Sequence, residues 1–333
     1  MAADILIAAE FPNIMDMDNS SLINSTVNST NLTGNSSSEI HWDDPFHMPL
    51  SRFIFISFYI IIFTLGLFGN FLVCFVVARQ RTMQTVTNFF ITNLAIADIF
   101  LCLFCVPLTP TYSFLQRWIF GKFLCQFVAF LQCWCVYLST LTLTSIAIDR
   151  FFVIIYPFRP RMKVTTCLMI LSSIWIIAFG LTFPYGYYMT LENDGDTILC
   201  EEDWPENVRR IFGTVTTILQ FFLPFIIILV CYLCIFCKLQ KNKKRLAKAK
   251  NSKKKNNSEK MLRKKTSTNQ MLVLMVSIFG ICWLPINVIN IVDDYYVDLS
   301  KELKYFSFYF FISHLFAMSS VIYNPILYGL LNE

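Results

Sequence analysis

Residues 121–156 read GKFLCQFVAFLQCWCVYLSTLTLTSIAIDRFFVIIY. This run is apolar over more than the roughly 20 residues that a helix needs to cross a bilayer. On such a helix Cys125, Gln132 and Ser139 share one stripe, because their spacing brings each back to the same face. Gln132 and Arg150 also face the same way, roughly 27 Å apart along the axis. An amide towards one end and an arginine at the other suit a helix that transmits a signal across the membrane.

The composition is that of a membrane protein. Of the 333 residues, 56% are hydrophobic, 34 are phenylalanine and only 15% are charged, whereas soluble domains are about half apolar and about 25% charged. The apolar residues form long runs rather than an amphipathic pattern, and each run is long enough to span. We therefore predict an all-α membrane protein, a seven-transmembrane helix bundle. The runs lie near residues 51–78, 86–114, 122–156, 164–188, 209–237, 268–293 and 304–331.

The distribution of positive charge predicts the orientation of the bundle. Most of the 27 Lys and Arg fall in connections on one side, at 79–81, 150–163 and 238–265. The positive-inside rule makes these connections cytoplasmic and leaves the N-terminus extracellular. Residues 238–265 are then a basic third inner loop close to membrane lipid. We expect a multi-pass protein of the plasma membrane.

Residues 1–48 differ from the membrane domain that we predict at 49–333. They are polar, rich in Asn, Ser and Thr, and poor in aromatic residues, which is typical of a disordered tail. Five Asn-x-Ser/Thr triplets crowd this tail, and glycosylation of such triplets requires the lumenal side of the membrane. The predicted glycosylation sites are Asn19, Asn24, Asn28, Asn31 and Asn35.

The predicted extracellular side is acidic and contains two cysteines. Most of the 22 Asp and Glu fall in the tail or the outer loops, so the outer mouth of the bundle should attract cationic ligands. The alternative is that these acids form only a solvated surface. Of the twelve cysteines, only Cys125 and Cys200 lie in oxidising, extracellular positions, which predicts a disulfide between them.

Ionisable residues inside the crossings are few. Asp98 falls in the middle of the second run, where a charged side chain costs at least about 3 kcal/mol and is functional by default. A transporter or channel would need charged relay residues in several crossings, and Asp98 is the single such carboxylate. An intramembrane enzyme would need a metal or nucleophile set, but there is no H-E-x-x-H and two of the three histidines, His41 and His47, lie in the tail. We predict that the chain is not an enzyme.

The seven runs and their motifs resemble the rhodopsin-like (class A) G-protein-coupled receptors. The resemblance covers residues 50–331, and the motifs occur in order along the crossings. They are G-N at 69–70, L-A-I-A-D at 94–98, Cys125, D-R-F at 149–151, Trp175, Pro224, Tyr232, C-W-L-P at 282–285 and N-P-I-L-Y at 324–328.

The resemblance implies an activation switch. Prolines in the last three crossings remove backbone hydrogen bonds and make hinges. Trp283 is then the bulky residue below the ligand pocket, although simple core packing is an alternative. Arg150 pairs with Asp149 at rest and is released to meet a partner when the sixth helix moves outward. The implied switch residues are Asp149, Arg150, Tyr232, Trp283, Pro285, Asn324, Pro325 and Tyr328.

An inner sodium pocket is also implied by the resemblance. Asp98, Ser139 and Asn324 match its positions, with Ser320 beside them. Oxygen ligands suit a hard cation. The alternative is an aspartate that is protonated or hydrogen-bonded. Apart from this sodium ion we expect no cofactor.

The ligand class follows from finer resemblances. Amine receptors have an aspartate where this chain has Gln132, and retinal proteins need a lysine that residues 305–331 lack. Several positions instead resemble the neuropeptide Y and neuropeptide F receptor group, with the prolactin-releasing-peptide receptors close behind. Ligands of this group end in Arg-Phe-amide or Arg-Tyr-amide. The implied ligand-binding residues are Thr109, Tyr112, Gln132, Glu202, Asp203, Gln220, Asn290, Asp294 and His314.

The chemistry of such a peptide fits these side chains. A C-terminal amide is both donor and acceptor and pairs well with Gln132 and Gln220. The arginine before it needs a carboxylate, for which Asp294 is the first choice, with Asp293 and the acidic run 201–203 as rivals. His314 is expected to face the pocket, although a lone histidine is more often structural.

The resemblance also implies the partners. We expect an amidated neuropeptide outside and a heterotrimeric G protein inside, with the inhibitory class favoured, arrestin as a further partner and no nucleic acid. A receptor of the same fold for a different peptide class is the alternative function.

Overall fold

The computed structural model describes residues 48–195, 197–205, 207–247, 252–296 and 305–331. Within these ranges seven helices are long and apolar enough to cross a membrane, which confirms the predicted seven-helix bundle. The predicted glycosylation sites in the tail lie outside the described residues. In chain order the helices are α1 Pro49–Arg79, α2 Val86–Leu115, α3 Gly121–Ile155, α4 Val164–Tyr187, α5 from Val208 to Ala247, α6 Ser252–Tyr295 and α7 Phe306–Leu331. Helix α5 consists of three consecutive segments, Val208–Thr217, Ile218–Phe222 and Leu223–Ala247, that follow one another without a break.

Two of the helices contain a π-helical turn, in which the backbone is wider by one residue. The turns are Leu101–Cys105 in α2 and Ile218–Phe222 in α5. Each lies just before a proline, Pro107 and Pro224 respectively. A proline ring collides with the carbonyl four residues earlier in a regular helix, and in both cases that carbonyl belongs to the widened turn. The prolines therefore mark where these helices depart from regular geometry.

Buried amide side chains connect neighbouring helices of the bundle. Asn70 on α1 is fully buried and donates from Nδ2 to the carbonyl of Val321 on α7 at 2.8 Å. Asn93 on α2 donates to Thr142 Oγ1 on α3 at 2.9 Å and accepts from Trp175 Nε1 on α4 at 2.7 Å. Side-chain hydrogen bonds of this kind hold helices together in an apolar medium.

Helices α1, α2 and α7 pack closely at Gly66. A Cβ atom at this position would lie 2.7 Å from Val321 Cγ2 and 2.8 Å from Cys102 Sγ. Small residues let helix backbones approach in this way, so Gly66 sets the spacing of the three helices.

Between α4 and α5 the chain forms an antiparallel hairpin of β1, Met189–Asp194, and β2, Thr197–Glu202. Gly195 in the turn has φ +57°, which glycine adopts without strain. A disulfide joins Cys200 in β2 to Cys125 in α3, as predicted. We call the end of the bundle that carries this hairpin the outer end, and the opposite end the inner end.

At the inner end α5 and α6 extend well beyond the apolar runs. Helix α5 continues to Ala247 and α6 begins at Ser252, so both enter the basic segment 238–265. Residues 248–251 lie outside the described residues. The basic segment therefore extends the two helices from the inner end.

We expect Cys125→Ser and Cys200→Ser to lose surface expression to the same degree. The disulfide closes a loop with a sequence separation of 75, which in the chain-entropy view stabilises the fold by about 4 kcal/mol. Surface antibody labelling of an N-terminal epitope measures the loss. The double variant should be no worse than either single one, because all three lack the same bond, and Cys234→Ser is the matched control at an exposed free cysteine. Normal surface levels and thermal stability of the single variants would contradict the role of the disulfide.

Candidate functional site

A cavity opens towards the outer end among α3, α4, α5, α6 and α7. It encloses about 670 Å³, including its open mouth. The part of it that water molecules could occupy is only about 80 Å³, which is below the range of sites that enclose a drug-sized ligand. Its lining combines aromatic and aliphatic residues with a few amides. The lining residues are Ala129, Gln132, Cys133, Val136, Tyr185, Phe212, Thr216, Gln220, Trp283, Ile286, Asn287, Asn290, Phe310 and His314.

Four of the predicted ligand-binding residues line this cavity: Gln132, Gln220, Asn290 and His314. They come from four different helices, so the fold brings together residues that are far apart in the sequence. Gln220 lies in the π-helical turn of α5 and donates from Nε2 to the carbonyl of Cys133 on α3 at 3.0 Å. Gln220 therefore also fastens α5 to α3.

Two polar atoms in the cavity wall have no hydrogen-bond partner among the described residues, Nε2 of His314 and Oδ1 of Asn290. His314 is 1% exposed, and its other ring nitrogen, Nδ1, is 2.7 Å from the Tyr59 hydroxyl on α1. A buried polar atom without a partner costs about 1–3 kcal/mol. Both atoms are buried from water as the structure stands, so they become partners for a polar ligand once neighbouring side chains move aside.

Trp283 lies at the inner limit of the cavity and links it to the bundle below. Its Nε1 donates to Ser320 Oγ on α7 at 3.2 Å, and its ring stacks on Phe279 with centroids 5.8 Å apart. Asn287 donates from Nδ2 to the Trp283 carbonyl at 2.7 Å, next to Pro285 in α6. Trp283 thus contacts both the cavity and α7.

Thr109 and Tyr112 are not among the residues that line the cavity. Tyr112 is buried, and its hydroxyl accepts a hydrogen bond from the backbone N–H of Cys200 at 3.3 Å. Thr109 is also buried, and its carbonyl accepts from Ser113 Oγ at 2.9 Å. In this structure Tyr112 holds the hairpin against α2, next to the disulfide.

The acidic residues of the outer end gather around one arginine of α5. Arg209 Nη2 lies 2.8 Å from Asp293 Oδ2 and 3.6 Å from Asp294 Oδ1, and its Nε lies 3.6 Å from Glu202 Oε2. We call these four residues the mouth cluster. Asp203 is exposed beside it, with its backbone N–H bonded to the Tyr188 carbonyl. Predicted peptide-binding acids are therefore already close to a guanidinium of the chain itself.

The residues of the predicted sodium pocket lie in the middle of the bundle. Asp98 is 3% exposed, and its Oδ2 accepts a hydrogen bond from Asn324 Nδ2 at 2.8 Å. Ser139 and Ser320 are also buried. Ser320 also accepts the hydrogen bond from Trp283, so it belongs both to the cavity floor and to this buried polar group.

At the inner end Asp149 and Arg150 form the predicted pair. Arg150 Nη2 lies 2.6 Å from Asp149 Oδ2, and the same nitrogen donates to Thr87 Oγ1 on α2 at 2.5 Å. Tyr232 and Tyr328 are both buried here. The arginine is thus held by its own helix and by α2. Pro285 and Pro325 lie inside α6 and α7, as the motifs required.

Three functional positions were missed by the sequence reasoning. Tyr59 is a single tyrosine in an apolar run, and Thr87 is one of several threonines in its segment, so neither carried a signal. Arg209 did carry one, because Arg209 and Arg210 directly follow the acidic segment of the second outer loop. Two basic residues next to many acids are a reasonable sign of an ion pair.

Comparison with known proteins identifies the family. A family model described as "7 transmembrane receptor (rhodopsin family)" matches residues 69–328. The mouse neuropeptide Y receptor type 6 is 32% identical over 92% of this chain and 85% of its own length. The mouse neuropeptide FF receptor 2 is 34% identical over 86% of this chain and 72% of its own length. The Drosophila melanogaster neuropeptide F receptor is 35% identical over 84% of this chain and 60% of its own length.

These matches confirm the resemblance that the motifs indicated, and also the prediction that the chain is not an enzyme, because members of this family are receptors. The seven helices, the cavity at the outer end and the Asp149–Arg150 pair at the inner end agree with the same assignment. The chain belongs to the rhodopsin family of seven-transmembrane receptors.

Proposed function

We propose that this receptor binds an amidated neuropeptide ending in Arg-Phe-amide or Arg-Tyr-amide and transmits the binding to a heterotrimeric G protein. The observation that carries the proposal is the pair of buried, unsatisfied polar atoms in residues of the cavity wall, His314 Nε2 on α7 and Asn290 Oδ1 on α6, with Asp294 one turn beyond Asn290. The names of the neuropeptide Y, FF and F receptors support it. The receptor acts in the plasma membrane with its N-terminus outside, as the positive-inside rule requires.

The amide of the peptide matches the cavity wall. A primary amide offers two N–H donors and one carbonyl acceptor. Asn290 Oδ1 accepts from the amide nitrogen. When Tyr59 donates to Nδ1 of His314, Nε2 carries the ring proton and donates to the amide oxygen. A free carboxylate at the same place has no N–H for Asn290, so the cavity distinguishes an amide from an acid.

The arginine of the peptide matches the outer end. Asn290 and Asp294 are one turn apart on α6, which is about 6 Å along the helix. In an extended peptide the terminal amide lies two positions beyond the arginine, which spans about 7 Å at about 3.5 Å per residue. The peptide can therefore present its amide to Asn290 and its guanidinium to Asp294 at once, where a charge-assisted pair forms.

Signalling requires a change at the inner end. Arg150 is held by Asp149 and Thr87, and outward movement of α6 exposes it to the G protein. We propose that the receptor couples to the inhibitory class of G protein and that arrestin binds it afterwards. The basic extensions of α5 and α6 lie close to anionic lipid of the inner leaflet.

The oxygens around Asp98 fit an allosteric sodium ion. Asp98, Ser139 and Ser320 supply a buried carboxylate and two buried hydroxyls, which is a donor set for a hard cation. When bound, the ion neutralises the carboxylate. Asp98 would hold it, and Asn324 orients the carboxylate by the hydrogen bond from its amide.

Cells that express the full chain should respond to peptides ending in Arg-Phe-amide or Arg-Tyr-amide. A fall in cyclic AMP measures coupling to the inhibitory class, and intracellular calcium measures other coupling. The free-acid form of the same peptide is the matched control. It should be weaker by about tenfold or more, because it leaves a buried acceptor unsatisfied. Equal potency of amide and acid, or a response only to uncharged or anionic agonists, would contradict the proposal.

We expect Asp294→Ala to weaken the arginine peptide by about 1.5–3 kcal/mol, the range for hydrogen bonds to charged groups. The half-maximal concentration in the same cell assay measures the change. Replacing the peptide arginine by citrulline, which is neutral and of similar shape, should make the variant and the unaltered receptor alike. Glu192→Ala, at an exposed acid of β1, controls for the loss of outer negative charge. An unchanged half-maximal concentration for Asp294→Ala would rule out this contact.

Sodium should lower the affinity for the agonist peptide in the unaltered receptor, because the ion binds preferentially to the resting state. Replacing sodium chloride by choline chloride at equal ionic strength should raise the affinity by about fivefold or more. Asp98→Asn should abolish this sensitivity while still accepting the bond from Asn324. Peptide binding to membranes measures the effect. The same sodium response in Asp98→Asn as in the unaltered receptor would show that Asp98 holds no ion.

A further inference from the structure

The acids that we assign to the peptide arginine already face a guanidinium of the receptor. In the mouth cluster Arg209 lies 2.8 Å from Asp293, and 3.6 Å from both Asp294 and Glu202. The chemical group is the same as the one that the peptide would bring. An arginine peptide that binds these acids must therefore either displace Arg209 or share them with it.

The mouth cluster joins three separate elements of the outer end. Arg209 is in the first turn of α5, Asp293 and Asp294 are in the last turn of α6, and Glu202 ends β2. Glu202 is also held by Trp204, whose Nε1 donates at 2.8 Å to the same oxygen, Oε2, that faces Arg209. The cluster is therefore an ion-pair bridge between α5, α6 and the disulfide-linked hairpin.

Burial separates the arginine from the acids. The side chain of Arg209 is 33% exposed, whereas the three carboxylate side chains are between 1% and 9% exposed. Arg209 is thus the solvent-facing member of the mouth cluster. A cation that approaches from outside meets carboxylates that this side chain partly covers.

Among the four described residues of the mouth cluster one guanidinium faces three carboxylates, so these four together carry net negative charge even with Arg209 in place. Removing Arg209 without a replacement would leave three buried acids close together, which is costly. Exchanging it for another guanidinium keeps the charges compensated. Such an exchange is open to arginine more than to lysine, because only the planar fork pairs with carboxylates in the same way.

We propose that Arg209 is a built-in competitor for the arginine of the peptide, and that it sets the specificity of the mouth cluster for a guanidinium. The inference rests on the proposed function, because it concerns the same acids. The arginine of the peptide takes over Asp294 and Asp293, and Arg209 turns out to solvent. A peptide with a neutral residue at this position leaves Arg209 in place and gains nothing there.

The exchange also removes one of the contacts between α5 and α6 at the outer end, where the hydroxyls of Thr214 and Tyr295 still join the two helices. In the resting receptor Arg209 ties Asp293 and Asp294 to α5 directly. After the exchange that tie passes through the peptide instead. Binding of the correct arginine thus releases a restraint on α6, the helix whose movement the signal requires.

The matched pair Arg209→Gln and Arg210→Gln tests the proposal in the full-length receptor. Both remove one positive charge from the same turn. Arg210, however, contacts only the backbone carbonyl of Asp294, at 3.1 Å, and the ring of Tyr295 among the contacts described. A general change of electrostatic field would affect the two variants equally, whereas competition is specific to Arg209.

We expect Arg209→Gln to lower the half-maximal concentration of an Arg-Phe-amide peptide by about fivefold, the size of a partly exposed ion pair. Arg210→Gln should change it by less than about twofold. The citrulline form of the peptide should change by less than about twofold in both variants. The discrimination between arginine and citrulline therefore widens in Arg209→Gln alone. Equal gains in the two variants, or a loss of potency in Arg209→Gln, would overturn the competitor role.

Surface labelling of an N-terminal epitope accompanies each measurement. If Arg209→Gln does not reach the surface, Arg209→Lys provides the test, because lysine keeps the charge and loses the planar fork. We expect a gain of about twofold for the arginine peptide with that variant, and no gain would overturn the proposal. An unaltered receptor that does not discriminate arginine from citrulline contradicts the proposed function itself, whereas clear discrimination with no effect of Arg209→Gln contradicts only this inference.

Discussion

The requirement that every backbone polar group find a partner inside the bilayer governs this structure. In hydrocarbon only a helix or a closed barrel meets it, so each apolar run is helical. The contacts between helices then need another source of specificity, because lipid is as apolar as the side chains. Asn70 and Asn93 supply it, since each bonds to a neighbouring helix. Together with the close packing at Gly66, these amides fix the frame on which the cavity is built.

A short series of polar residues leads from the cavity floor to Asp98 in the middle of the bundle. Trp283 in the cavity floor donates to Ser320. Asn324 follows one turn later on α7 and donates to Asp98 on α2. A ligand that displaces Trp283 therefore disturbs α7 at the positions next to its proline. Because the tryptophan belongs to α6 and the serine to α7, a movement of either helix is passed to the other.

The seven-helix fold and the residue at the floor of the cavity could both be predicted from the sequence. Apolar runs predict the helices directly, and single polar residues inside them, such as Gln132 and His314, mark the side that faces the cavity. The hairpin could not be read from the sequence, because its strands are mixed in polarity and are held by a disulfide and by Tyr112. The role of Thr109 and Tyr112 was equally hidden, since spacing shows which residues share a face and not which neighbour they meet.

The π-helical turn Ile218–Phe222 has a consequence for where the outer end of α5 points. One additional residue in a turn rotates everything beyond it by roughly 100° relative to an uninterrupted helix. Tyr232 on the inner side and Arg209 on the outer side therefore belong to two different helical registers, and face counting from one to the other fails. That single residue turns Arg209 towards α6. The backbone irregularity beside Pro224 thus decides, half a membrane away, which charges meet at the entrance of the receptor.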